Sequence, residues 1–252
     1  MPEINTLREL VEYGKEKGGD KPFLFDDNNE SISSSEFCEF NRQLGAFILS
    51  KGLNKTNIAI VGENTSNWYI CFFSIMNSGN VVVPLDRNLT DKEKTELVDR
   101  CDCKAIFYSK KESRLIESFK EGVQLYSFED IKQFREEGQK IIENGDDSYD
   151  RLVIDKNDLA TIVFTSGTSG DMKGVMLTHF NLMSDTIACC KHIAGHDTQI
   201  FLPLHHTFPW ASAMFPILVN GGTVHFSSNM RRIMKDLQTN KPQNLSAVPM
   251  MV

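Results

Sequence analysis

The sequence predicts an α/β fold in which alternating strands and helices form layered, mostly parallel sheets. Three observations carry this. Short apolar runs rich in Val, Ile and Phe recur along the 252 residues, and stretches with helical spacing of apolar side chains separate them. Gly, Asn, Asp and Pro punctuate the junctions. A composition of 40% hydrophobic and 24% charged residues is that of an ordinary globular chain, long enough to bury a substantial core. Strands alternating with helices of this length argue for βαβ units.

Taken in order, residues 22–25 read as a short strand. Ser33-Ser-Ser-Glu36 then offers capping chemistry for a helix that carries Phe37, Phe40, Leu44, Phe47 and Ile48 on one face and ends at Gly52. A strand over 58–61 follows, then an aromatic-rich helix over 67–77, and a strand over 81–84. The spacing predicts an amphipathic helix over 91–101 and a strand over 105–108. Residues 129–143 form a charged helix, and the polar, turn-rich stretch 144–150 is the best internal boundary. The expected division is therefore 1–150 and 151–252. Beyond it come an apolar run at 162–164, a helix over 180–193, a strand over 199–204 and a helix around 210–219. A strand over 222–226, a helix over 231–239 and a final apolar strand over 245–252 complete the series. That last run has no cap and no polar tail, which reads as a truncated polypeptide.

A net charge of -7 without a basic cluster argues against nucleic acid as a partner. The six cysteines, Cys38, Cys71, Cys101, Cys103, Cys189 and Cys190, form no CxxC pair and are expected as reduced thiols of a cytoplasmic protein. Zinc at Cys101 and Cys103 would need ligands that the neighbourhood lacks. The N-terminus has neither the basic nor the apolar region of a signal peptide. No apolar run reaches the roughly 18 residues of a membrane-spanning helix.

Residues 159–174, LATIVFTSGTSGDMKG, carry the chemistry. A strand-like run stops at a loop in which Thr165, Ser166, Thr168 and Ser169 alternate with Gly167 and Gly170, and Lys173-Gly174 closes it. Glycines admit positive φ and close approach of the backbone to a ligand. Successive amides and hydroxyls can then wrap an anion, and the lysine adds a mobile positive charge. Such a loop suits the phosphates of a nucleotide, whereas a flexible linker would not follow a buried strand. The spacing is not that of a P-loop, since Met172 stands where glycine is required and Gly174 where Ser or Thr is required. No GxGxxG dinucleotide fingerprint is present nearby.

The stretch Thr165–Gly170, Lys173-Gly174-Val175 and Leu177-Thr178-His179-Phe180-Asn181 closely resembles the signature of the AMP-forming adenylating enzymes. These comprise acyl- and aryl-CoA synthetases, luciferases and peptide-synthetase adenylation domains. Met172 replaces the family's usual proline. Residues 63–68 followed by 79–86 resemble an early structural motif of the same superfamily, with no catalytic role. Phe201-Leu-Pro-Leu-His205-His206-Thr207-Phe208 resembles the segment at the acyl-substrate pocket, with Pro209 where glycine is frequent. By chemistry alone the two histidines could be a metal pair, a general base or structural residues. The resemblance places His206 near the carboxylate and phosphates and Phe208 at the acyl site. Trp210, Met214 and Phe215 have the spacing of core residues, and the alternative has one or two of them lining an apolar tunnel.

The resemblance implies an adenylating-enzyme N-terminal domain, incomplete, with the C-terminal domain absent. It is closest to long-chain fatty acyl-CoA ligases. Lys173 and His206 are the expected catalytic residues. Thr165, Ser166, Gly167, Thr168, Ser169, Gly170, Lys173 and Gly174 would hold ATP, Thr168 would contact Mg2+, and His206, Phe208 and Trp210 would bind the acid. Coenzyme A is the implied acyl acceptor, and peripheral membrane association is compatible with a fatty substrate. The Tyr-Gly-x-Thr-Glu motif, the ribose-binding aspartate and the adenylation lysine are not found, so the chain by itself is expected to be inactive. Two rival readings are an enzyme that loads an acyl carrier protein and a non-catalytic nucleotide-binding module.

Overall fold

Buried apolar runs become strands wherever they are flanked by turn residues. A computed structural model of the chain describes residues 3–25, 30–117, 119, 122–165, 172–193, 195–227 and 230–247. In chain order the elements of the first half are α1 (Leu7–Gly18), β1 (Pro22–Phe25), β2 (Ser31–Ser33), α2 (Ser34–Ser50), β3 (Asn57–Val61), α3 (Ser66–Asn77), β4 (Val81–Pro84), α4 (Asp91–Arg100), β5 (Cys103–Tyr108), α5 (Ser113–Ile116) and β6 (Gln124–Ser127). The second half contains α6 (Ile131–Glu143), α7 (Ser148–Arg151), β7 (Leu159–Thr165), β8 (Lys173–Thr178), α8 (His179–Cys190), β9 (Asp197–Ile200), α9 (Thr207–Pro209), α10 (Phe215–Val219), β10 (Thr223–Phe226), α11 (Ile233–Asn240) and β11 (Asn244–Leu245). The expected α/β class with mostly parallel sheets is the observed one.

Two compact units form. One comprises residues 1–39, 64–66 and 180–252, and the other residues 40–63 and 67–179. This differs from the division at 150 expected from the sequence. The polar stretch there carries α7, and β7 pairs with β4, continuing a sheet begun far upstream.

In the unit of residues 40–63 and 67–179 the strand order is β6-β5-β3-β4-β7-β8, parallel except for β8, which runs back antiparallel along β7. Ala59, Val61, Val83, Leu85 and Ile106 pack against Leu97 and Val98 of α4 and Leu115 of α5. Helix α4 is firmly seated. Thr90 and Glu93 form a reciprocal capping box, and Lys94 bonds Glu112 at 2.6 Å with its side chain only 3% exposed. Helix α3 is buried from Trp68 through Asn77, as an all-round apolar helix must be. Two of its polar residues bond one atom of α2, Ser74 Oγ donating to Asn41 Oδ1 at 3.4 Å and Asn77 Nδ2 to the same oxygen at 3.3 Å.

The other unit has the order β11-β9-β10-β1-β2, parallel except for β2. The predicted cap of α2 is present as a capping box, with Glu36 N–H donating to Ser33 Oγ at 3.1 Å and Ser33 N–H to Glu36 Oε2 at 2.8 Å. Helix α1 precedes the first element expected from the sequence. Thr6 caps it, accepting from Glu9 N–H, and Leu7, Leu10 and Val11 form its buried stripe.

Two strand expectations are corrected. The strand placed over 199–204 pairs only over Asp197–Ile200, because Pro203 has no N–H to donate and Leu202 and Leu204 turn their backbone groups elsewhere. The final strand expected over 245–252 pairs only as Asn244–Leu245, and residues 248–252 lie outside the described set. Helix α6 begins at Ile131 rather than Glu129, after a single 3-10 turn over Phe128–Asp130.

Candidate active site

Strand β7 is buried at Ala160, Thr161 and Val163 and emerges at Thr165, which is exposed. It lies parallel to β4, so its loop leaves the carboxyl edge of the parallel sheet, where open α/β sheets place their ligands. The last register pair of the β7–β8 hairpin is Thr165 with Lys173. Lys173 and Gly174 are exposed. Gly174 pairs with Phe164, and an added Cβ would stand 3.1 Å from Ile162 Cγ2, which would have to give by a few tenths of an ångström. The structure therefore puts Thr165, Lys173 and Gly174 together at one mouth. Ser166, Gly167, Thr168, Ser169 and Gly170 lie outside the described residues. His179 is buried at the start of α8, its N–H donating to Asp158 O at 3.1 Å.

The second candidate segment follows the carboxyl end of β9, in the unit of residues 1–39, 64–66 and 180–252. Beyond Ile200 the backbone is taken over by Asn64. Asn64 Nδ2 donates to Leu202 O at 2.8 Å, and Leu204 N–H donates to Asn64 Oδ1 at 3.2 Å. Leu204 O accepts from Trp210 Nε1 at 3.0 Å, and His206 N–H donates to Pro203 O at 3.2 Å. The peptide leading into the histidines is thus held from both sides. The His205 and His206 rings sit 4.0 Å apart with an interplanar angle of 51°. His206 is exposed, and Phe208 is 49% exposed.

Trp210 is completely buried. Its indole N–H bonds Leu204 O and its ring lies 5.5 Å from that of Phe215, as in a core residue. Trp210–Met214 form a π-helical turn just ahead of Pro216. A proline here cannot donate and would crowd the preceding turn's carbonyl, which the wider turn avoids. Among the described residues no group of three or more His, Cys, Asp or Glu could hold a metal ion. No described helix is long and apolar enough to cross a membrane.

Asn64 is the site residue that sequence reasoning passed over. It sits in the stretch read as purely structural, and its partners are 138 and 140 positions further along the chain. An Asn three residues beyond a buried strand was the only local sign.

Strands β7 and β8, at one end of a mostly parallel sheet, flank the hydroxyl- and glycine-rich sequence of residues 166–170. The chain belongs to the AMP-binding enzyme family, whose model matches residues 11–252. It is 26% identical over 280 residues to long-chain-fatty-acid–CoA ligase 1 of Homo sapiens, covering 98% of this chain and 40% of that protein. It is 27% identical over 283 residues to the chloroplastic long-chain-fatty-acid–[acyl-carrier-protein] ligase AEE15 of Arabidopsis thaliana, covering 98% of this chain and 38% of that protein. The inhibitor-bound N-terminal domain of FACL13 from Mycobacterium tuberculosis superposes with a TM-score of 0.86 at 15% identity, over 98% of this chain and 64% of that one. The chain spans about two fifths of the length of these curated relatives.

Proposed function

We propose that this chain is the N-terminal part of an ATP-dependent, AMP-forming acid–thiol ligase that activates a fatty acid and passes it to coenzyme A. The observation that carries the reading is the exposed pair Thr165 and Lys173 closing a hydroxyl- and glycine-rich loop at the carboxyl edge of a parallel sheet. Family membership supports it, and the names of the relatives support the choice of acid.

In this reading the carboxylate of the acid attacks the α-phosphorus of ATP and pyrophosphate leaves. A thiol then displaces AMP from the acyl-adenylate. A carboxylate is already ionised at neutral pH, so no general base is required of His206. Catalysis rests on positioning and on offsetting phosphate charge. Thr165 and the loop hydroxyls would take the phosphate oxygens, and Lys173 would meet the charge that develops on the leaving pyrophosphate. His206 and Phe208 would face the acid, with Trp210 acting through the Leu204 backbone rather than by touching it. Thr168 would hold magnesium, which would offset phosphate charge.

ATP–pyrophosphate exchange by the natural full-length protein, across carboxylic acids of increasing chain length, tests the reading. Acid-dependent exchange supports it, and no exchange with any acid overturns it. Lys173→Ala is expected to raise the KM for ATP or slow pyrophosphate release, and unchanged kinetics would remove that residue's role. The similarity to a relative named for an acyl carrier protein favours one second reading, transfer to a carrier protein. Product analysis with each acceptor in turn separates the two.

A further inference from the structure

Arg100 ends helix α4, within the same unit as the β7–β8 hairpin. Its Nη1 donates a 2.7 Å hydrogen bond to the carbonyl oxygen of Met172. Its guanidinium carbon lies 6.0 Å from the centre of the Phe164 ring. Both stems of the loop, Phe164 on the way in and Met172 on the way out, also pack on the core cluster containing Leu97 and Cys101. The Met172 carbonyl belongs to the peptide plane that ends in the Lys173 N–H. A donor fixed on that oxygen therefore fixes the plane from which Lys173 departs.

The helix that carries Arg100 is rigidly seated by its capping box and by the buried Lys94–Glu112 pair. A cation in the last helical turn is also favourably placed against the helix dipole. A guanidinium can hold one N–H on a carbonyl while its charge stays near an aromatic ring.

We infer that Arg100 is a positioning residue for the phosphate loop: it pins the exit strand so that Lys173 meets the phosphates of ATP. This rests on the ligase reading above and adds to it a residue outside the loop signature. Arg100 is not a catalytic residue, since it acts through the backbone of Met172.

The test measures ATP–pyrophosphate exchange in the natural full-length protein for wild type, Arg100→Ala, Arg100→Lys and Lys92→Ala. Lys92 is an exposed cation on the same helix, paired with Glu96 at 3.7 Å. Arg100→Ala is expected to raise the KM for ATP and for pyrophosphate about tenfold while leaving that for the acid unchanged. Arg100→Lys should recover part of the loss, and Lys92→Ala should change neither. A rise in KM for ATP of less than about twofold in Arg100→Ala overturns the inference. An equal rise in Lys92→Ala also overturns it, by pointing to long-range charge. So does a lowered Tm with fewer active molecules and all three KM values unchanged. A wild type without exchange activity overturns the ligase reading itself, a result distinct from each of these.

Discussion

Asn64 closes two backbone groups that Pro203 turns out of the β9 ladder, and the loss of that amide should be felt at once. Asn64→Ala leaves Leu202 O and Leu204 N–H without their partner, at a cost of about 1–3 kcal/mol. Urea unfolding is the direct measurement, and a change within error would show that water replaces the amide. Trp210→Phe keeps much of the ring packing but removes the donor to Leu204 O, for a smaller loss of about 1 kcal/mol. Glu63, the neighbouring residue in the chain, behaves differently. Burial pushes its carboxyl up, but Lys111, 2.6 Å away, pulls it down, and its pKa lies below the ordinary 4.5. The folded state therefore binds the proton less tightly than the unfolded chain. Its contribution is present above about pH 4.5 and fades as pH falls through the lower folded value. Because Lys111 is largely exposed, the contribution is under about 1 kcal/mol. Glu63→Gln should be less stable than wild type at pH 7, by a gap that narrows as the pH falls from 7 to 3. A constant gap across that range would contradict the assignment.

At the scale of elements, α2 and α6 approach so closely that one position admits only glycine. A Cβ on Gly138 would lie 1.9 Å from Gln43 O and 3.3 Å from Phe47 N. Gly138→Ala gains helix propensity yet must push backbone apart, so the expected net is a loss of about 1–3 kcal/mol, read as a lowered Tm. A stabilised variant would mean that the helices separate freely. The same scale separates what the sequence revealed from what it hid. Strands β3 and β4 are almost wholly buried, and β5 is buried from Ala105 to Phe107, so each shows a clear apolar run. Strand β6 buries only Tyr126 and carries Gln124 and Ser127 beside it, which leaves no period to detect. Strand β8 is exposed over its first four residues and is held mainly by pairing with β7, a long-range property. Helix α1 was overlooked despite a Thr6 cap, because Gly14 and Gly18 thin its apolar stripe. The loop's hydroxyl and glycine pattern was legible because one contiguous stretch carries it. The supports of Asn64 and Arg100 were not, since each joins residues far apart in the chain.

For the molecule as a whole, the chief liability is the edge of the six-stranded sheet. Strand β8 ends the order, and Val175 and Met176 on it are 41% and 67% exposed. An open strand edge with exposed apolar side chains invites pairing between copies. The 252-residue chain should therefore self-associate at high concentration, and Met176→Glu should reduce this in sedimentation velocity. Equal association of the two forms would place the sticky surface elsewhere. The chain has two tryptophans, and the two units hold one each, Trp68 and Trp210, both at most 2% exposed. Nature has thus installed a separate optical probe in each half. Replacing either indole with phenylalanine leaves emission that follows a single unit as denaturant rises, revealing whether both melt in one step or in succession.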